Sequence, residues 1–391
     1  MLICESTMAD LIKMRVSDVL QCSILNWYEN FKEYTIQSLI LPLPQDVLAY
    51  LKEKGTVVLP QGCHPGQLGS SSIGDDDDDD EWDSYENQEE EEAVAPDLKE
   101  FNKEIESAIS VLGGSVFPKL NFSAPQDARW IGFNYSLKST SPGDIYLLLK
   151  SSCFITHDLC TPFKDCVDKD EVDTSVNYCL VLREWMDINP AHEFRCFVKD
   201  QELVGISQRD VTQSFSSVVQ DNHNIRHDII QFWNERIKDK FSLVNYTFDV
   251  YRPARRKVIL IDFNPFGVTT DSLLFQWHEF RVTERCGVEG EHGDDAELSE
   301  DLERLELETV RNGDNRERSS SPLSMEDKPE FRYIGGTTGV QPHSYWNYGL
   351  PSDVRDLSSG EDAQKLVDLL QMTQGQQESD SSEDEGYGLN R

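Results

Sequence analysis

Residues Tyr246–Gly267, YTFDVYRPARRKVILIDFNPFG, decide how the rest of the chain is read. Two β-rich runs, Tyr246–Arg252 and Lys257–Phe263, flank a short turn containing Pro253, the pattern of an antiparallel hairpin. Strict alternation in the second run puts Val258, Leu260, Asp262 and Asn264 on one face, with Ile259, Ile261 and Phe263 on the other. With the turn centred on Arg255 and Arg256, Asp249 lies directly opposite Asp262; an earlier turn at Pro253 would shift that register. Facing carboxylates repel and need compensation. A hard cation supplies it: magnesium takes carboxylate oxygens together with phosphate oxygens, and Asn264 adds a carbonyl oxygen. A solvated hairpin face is the plain alternative.

Around this hairpin lies a chain of 391 residues with a formal net charge of −36 and a hydrophobic fraction of 38%, long enough for one large domain or two smaller ones. Such an acidic surface repels nucleic-acid backbones and anionic membranes, and a basic protein surface is its natural partner. The same charge favours a monomer. No apolar run approaches the ~18 residues of a membrane span, and the first residues lack the uninterrupted apolar stretch of a signal peptide. Nine scattered cysteines without a Cys-x-x-Cys pair fit a reduced cytosolic or nuclear setting, and a cytoplasmic location is expected. Cys153, His157, Cys160 and Cys166 raise a zinc question, but their spacing is not a usual zinc pattern and ordinary buried thiols explain them.

Upstream, residues 15–34 read as one amphipathic helix, Ile40–Pro44 as an extended edge or connection, and Gln45–Lys52 as a helix. Six consecutive aspartates, Asp75–Asp80, followed by Glu89–Glu92, cannot bury a core and are read as a disordered loop. A helix over Asp97–Leu112 stops at Gly113–Gly114 and leads to Lys119 on a strand. A second short strand is expected through Trp130 and Phe133, then a Ser/Thr/Lys loop, Asn134–Pro142, and an apolar segment, Asp144–Lys150. Taken alone, Lys119 and Lys138 read as surface lysines. Tyr178–Trp185 alternates as a strand, and Glu193–Val198 pairs with Glu202–Gln208 around Lys199–Gln201. Arg195, inside the first of that pair, can meet a carboxylate or a phosphate. A helix over Ile225–Lys240 returns the chain to the hairpin.

The stretches GGSVFPKLNFSAPQDARWI, ITHDL, HEFRCFVKDQELVGISQRD, FDVYRPARRKVILIDFNPFGVTTDSLLFQW and LSSGEDAQKL resemble the eukaryotic cell division cycle protein 123 family, in order and spacing, from about Val16 to Met372. The resemblance implies an α/β ATP-grasp fold, with antiparallel sheets flanked by helices, that binds ATP and Mg2+. It also implies a chaperone acting on the gamma subunit of translation initiation factor 2 so that the heterotrimer assembles, in support of translation initiation and the cell cycle. By position, Asp249, Asp262 and Asn264 resemble the magnesium ligands, Lys119 the phosphate lysine and Arg195 a second phosphate contact. Arg183, Glu184 and Trp185 resemble the adenine hinge, whose backbone groups would read the base, and Asn134–Ser141 takes the place of the phosphate-covering loop, without glycines before Gly143.

The implied organisation is an N-terminal part of the core over 15–60, an acidic loop over 61–96 and a nucleotide-binding core over 97–290. An acidic, Ser-rich linker over 291–330 follows, then a strap and helix over 331–372 and an acidic tail over 373–391. No catalytic residue is expected. The alternative, a carboxylate–amine ligase working through an acyl-phosphate, requires an acceptor pocket that no stretch of the sequence identifies.

Overall fold

The structure is a computed structural model that describes residues 13–53, 55, 57–64, 95–280, 329–336 and 340. The chain divides into two compact units, Met1–His343 and Ser344–Arg391. All the elements below belong to the first. Most of the expected acidic loop and of the linker, the helix expected at the end of the 331–372 segment and the acidic tail lie outside the described residues.

The elements run α1 (Val16–Cys22), α2 (Ile24–Phe31), β1 (Ser38–Pro42), α3 (Gln45–Lys52), α4 (Lys99–Val111) and β2 (Val116–Lys119). There follow α5 (Pro142–Lys150), α6 (Cys153–Cys160), β3 (Cys179–Glu184), β4 (Glu193–Lys199), β5 (Glu202–Gln208), α7 (Ser216–Phe232), β6 (Tyr246–Ala254), β7 (Lys257–Pro265) and β8 (Glu330–Arg332). They build a mixed α/β fold with two sheets. The smaller is antiparallel, in the order β1-β3-β2, and the larger runs β7-β6-β4-β5-β8, antiparallel except for the parallel β5–β8 pair.

Strand β3 shows why the small sheet is buried on both sides. Leu180 and Leu182 pack into a core with α3, α4, α5 and α6, whereas Cys179 and Val181 join Trp27, Phe31 and the large sheet. The large sheet buries Phe194, Cys196, Val198, Phe248, Val250, Leu260 and Phe263 in that second core. Phe263 stacks on Phe241 with ring centroids 3.8 Å apart. The face turned the other way carries the polar residues discussed below.

Four local expectations need correction. The helix expected over residues 15–34 breaks at Ser23, which is extended (φ −60°, ψ 134°), so α1 and α2 are separate. The segment with Trp130 and Phe133 is not a strand but two 3-10 turns, Gln126–Ile131 and Phe133–Tyr135, in which Asn134 and Tyr135 take positive φ. Helix α7 begins at Ser216, nine positions before the expected Ile225, because its polar first half carries no apolar period; it closes in a π turn at Trp233–Ile237.

The fourth correction concerns β7. Asp249 does face Asp262 and Thr247 faces Asn264, but Val250 pairs with Leu260, leaving Ile261 as a bulge. One extra residue reverses the alternation. Leu260 is fully buried in the core, on the side opposite Asp262, rather than sharing its face as strict alternation predicts.

The start of the C-terminal strap is described. Phe331 meets the Phe194 ring, Ser214 Oγ donates to the Ile334 carbonyl, and Arg332 packs over Phe275 at 4.1 Å. The four residues of the zinc question do not converge. Cys153 and Cys160 sit at opposite ends of α6, about 10 Å apart by helical rise, and Cys166 is buried elsewhere with Met14 and Val16. Among the described residues no helix is long and apolar enough to cross a membrane.

Candidate functional site

Cross-strand pairing assembles a polar row from four strands. Asp262 on β7 faces Asp249 on β6, which faces Arg195 on β4, which faces Ser207 on β5. The next row toward the β6 N-terminus reads Asn264, Thr247, Phe197 and Gly205. Gly205 is required there, since a Cβ would lie 2.9 Å from the Phe275 ring. Its bareness lets Phe275 pack on Phe197 with centroids 5.2 Å apart, giving the polar row an apolar neighbour on the same face.

Asp249 and Arg195 form a complete bidentate pair. Arg195 donates from Nε to Oδ1 and from Nη2 to Oδ2, both at 2.8 Å, and from Nη1 to the Asp271 carbonyl at 2.8 Å. Arg209 Nε stands 3.8 Å from Asp249 Oδ2. Burial drives the Asp249 pKa up, but the two guanidiniums outweigh it and hold the carboxyl below the usual range. Glu193, nearby on β4, shifts the other way: burial raises its pKa and Arg209 only partly offsets it.

The small sheet contributes two more cations. Phe117 pairs with Arg183 and Lys119 with Val181, so Lys119 and Arg183 lie on one face of the β2–β3 ladder, diagonal neighbours turned toward β7. Lys119 is 1% exposed and donates to Asp262 Oδ2. Burial lowers its pKa, against the attraction of Asp262. Arg183, 3% exposed, donates from Nη1 to the carbonyl of the bulged Ile261 at 2.7 Å and lies over the Trp27 ring, 5.8 Å from its centroid. The bulge thus turns a free carbonyl toward the small sheet and fastens the two sheets beside Asp262.

The structure therefore brings Lys119, Arg183, Arg195, Asp249, Asp262 and Asn264 together where the two sheets meet. Glu184 and Trp185 occupy the strand end, with backbone N–H groups donating to the carbonyls of Gln37 (2.9 Å) and Ser115 (3.1 Å). Those two donors are engaged, leaving the backbone carbonyls as the groups able to read a base. Arg183 enters through its side chain, which a reading of the strand as a backbone hinge misses. Arg209, in the stretch SQRD, and Glu193 are the other additions; the alternation of β4 places Glu193 on the Arg195 face. The loop over Asn134–Ser141 is pinned at its far end. Ser139 and Val116 exchange backbone hydrogen bonds of 2.9 Å, Ser141 and Asp144 form a capping box on α5, and Lys138 lies over the Trp185 ring at 5.8 Å.

The basic groups Lys119, Arg183, Arg195 and Arg209 gather around Asp249, Asp262 and Glu193, and Asp158 also acts on Lys119. In a chain as acidic as this one, buried cations gathered at one junction suit a polyanion. A hard cation also fits. Asp262 keeps 17% side-chain exposure, and Asn264 lies on the same face two residues along, so both can offer oxygen ligands. Both Asp249 oxygens are held by Arg195, so Asp249 can reach a cation only as that fork turns toward an incoming anion.

The D123 family profile matches residues 27–358. A Xenopus laevis protein named translation initiation factor eIF2 assembly protein is 40% identical over 375 residues, 95% of this chain and all of that protein. A Phaeosphaeria nodorum protein named cell division cycle protein 123 is 34% identical over 379 residues, 90% of this chain and 96% of its own length. The solved structure of Cdc123 from Schizosaccharomyces pombe aligns with a TM-score of 0.54 at 34% identity, covering 68% of this chain and 92% of that one.

Proposed function

This chain belongs to the D123 family, and from that premise we propose that it is a cytoplasmic, ATP- and magnesium-binding chaperone for assembly of translation initiation factor 2. The observation that carries the nucleotide half of this reading is the cation-rich junction of the two sheets, where Lys119, Arg195 and Arg209 meet the Asp249–Asp262 pair and Arg183 lies beside it on the Ile261 carbonyl. The names of relatives matched over nearly their whole length carry the other half.

In this reading the sheets are the two halves of an ATP-grasp cleft. The Glu184–Trp185 strand end reads the adenine, Lys119 and Arg195 hold phosphate oxygens, and Asp262 and Asn264, with Asp249 behind them, hold the metal. Held by Asp262 and Asn264, Mg2+ would neutralise part of the charge of the triphosphate. Lys119 sits on the small sheet and Asp262 on the large one, so a ligand that engages both fixes one arrangement of the sheets. Any partner surface that prefers that arrangement binds more tightly, by linkage and without turnover of ATP. The partner is the gamma subunit of the initiation factor, met by a monomer.

Calorimetric titration of Mg·ATP into the wild-type chain and Asp262→Ala tests the site, followed by gamma-subunit capture with each protein. Saturable binding to the wild type that falls at least about tenfold in Asp262→Ala, a loss of ~1.4 kcal/mol or more, together with weaker capture, is expected. Absence of binding to the wild type would sink the nucleotide reading.

A further inference from the structure

Arg183 is the least satisfied charged group of the junction. Nη1 has the Ile261 carbonyl, but Nε and Nη2 are buried and meet no acceptor among the described residues. The Trp27 face carries part of the charge without accepting a conventional hydrogen bond. Unpaired guanidinium donors are costly to bury, and a native fold keeps them where something else completes them. Asp262 is the carboxylate whose field reaches both Arg183 and Lys119, Asp158 acting on Lys119 alone, and the Oδ2 of Asp262 is taken by Lys119. Its Oδ1 accepts from the Phe263 N–H at 3.1 Å. Asp262 is thus common to both buried cations, and Lys119 rather than Arg183 pairs with it.

We infer that Lys119 and Arg183 form a two-cation seat for the phosphates of a polyphosphate ligand, and that the Asp262 carboxylate fills this seat in the ligand-free chain. The inference rests on the nucleotide reading above and deepens it. Asp262 then has two opposed roles. Paired with Lys119 it competes with phosphate, and engaged as a cation ligand it gives Lys119 up and leaves both cations to the anion. Metal and polyphosphate binding are coupled through this exchange of partners within the protein, beyond any direct bridging of one by the other.

The decisive probe is inorganic tripolyphosphate in the presence of a chelator, titrated calorimetrically into the full chain. Without metal the wild type should bind it weakly. Asp262→Asn, which keeps the shape and removes the competing charge, should bind at least about tenfold tighter, as expected for freeing charge-assisted hydrogen bonds to phosphate. Adding Arg183→Met should abolish most of that gain. Arg183→Met removes an under-satisfied buried cation but also the bond to the Ile261 carbonyl, so thermal melting checks that the variant is folded at the titration temperature. If that variant unfolds, Asp262→Asn/Arg183→Lys substitutes for it, keeping the charge without the fork and giving an intermediate gain.

An Asp262→Asn affinity equal to wild type, or a gain that survives complete with either Arg183 variant, would overturn the seat. The two readings fail separately. Wild-type binding of Mg·ATP with no gain in Asp262→Asn defeats the seat alone. A gain for tripolyphosphate in a chain that ignores Mg·ATP keeps the seat and defeats the nucleotide.

Discussion

Strand β6 carries two buried ionic clusters, three residues apart, that are built on opposite plans. At its far end Arg252 is clasped by helix α7: Nε donates to Asp228 Oδ2 at 2.8 Å, and Nη1 lies 2.9 Å from Asp221 Oδ2. Nη2 also lies 2.8 Å from that Asp228 oxygen, off the line of a second hydrogen bond. The Arg256 N–H donates to Asp228 as well, and Arg255 stands 3.6 Å from Asp221. Two arginines meet two aspartates, and the clip fastens the hairpin turn to the helix. At Asp249 the plan differs: beside the Arg195–Asp249 and Lys119–Asp262 pairs stands Arg183, with two guanidinium donors unmet among the described residues. A cluster whose cations are paired is finished by folding. One that leaves a cation unpaired is finished by something that binds.

Breaking the clip should therefore cost stability and nothing else. Arg252→Met leaves Asp221 and buried Asp228 without their main counter-ion, and unfolding free energy should fall by about 3–5 kcal/mol, the usual range for removing one partner of a buried pair. Denaturant melts would measure it, and saturating Mg·ATP should raise the stability of the variant by as much as it raises that of the wild type. A smaller increment would mean that the clip is part of the binding apparatus.

The matching change at the other cluster should act on both properties. Arg195→Lys keeps a charge but cannot reach both Asp249 oxygens and the Asp271 carbonyl. A stability loss of about 1–3 kcal/mol is expected for buried acceptors left unmet, along with a weaker Mg·ATP titration. Unchanged affinity would class Arg195–Asp249 with the clip.

The smallest effect concerns pH, where carboxylates of opposite shift make opposite contributions. Asp249 and Asp228 are held below their ordinary values, so the unfolded chain binds protons first. Their stabilisation is complete above the ordinary carboxylate pKa of about 3.9 and is lost as pH falls through the folded values. Glu193, raised by burial, costs stability at neutral pH, and that cost fades as pH falls through its folded value toward the ordinary value of about 4.3. Glu193→Gln should remove this gentle rise in melting temperature on mild acidification, with an effect at pH 7 of about 0.5 kcal/mol. A variant with the same profile as wild type would place Glu193 outside the balance.

Much of the site was legible because hairpins are local. The Asp249–Asp262 opposition follows from a turn of few residues, and Lys119 and Arg195 fall on strands that their own alternation announces. Other features had no local signal. The Ile261 bulge adds a residue without changing composition, so Leu260 was placed on the wrong face. The Trp130–Tyr135 turns look β-prone because aromatic residues favour strands, yet the chain is held there in 3-10 turns, and positive φ at Asn134 and Tyr135 kinks the second of them away from an extended course. The start of α7 was invisible because SSVVQDNHN offers no apolar period.

The sequence by itself determined most of the strands, the Trp130–Phe133 segment excepted, their alternating faces up to the Ile261 bulge, and the types of charge they carry, since these depend on neighbours a few positions away. It also carried the family resemblance. Only the tertiary structure decided that Arg183, 78 residues before Ile261 along the chain, would donate to its carbonyl, and that Lys119 would be buried against Asp262. Charge balance in a buried site is a sum over elements distant in sequence. It exists only once the two sheets have closed on one another and water has left the space between them.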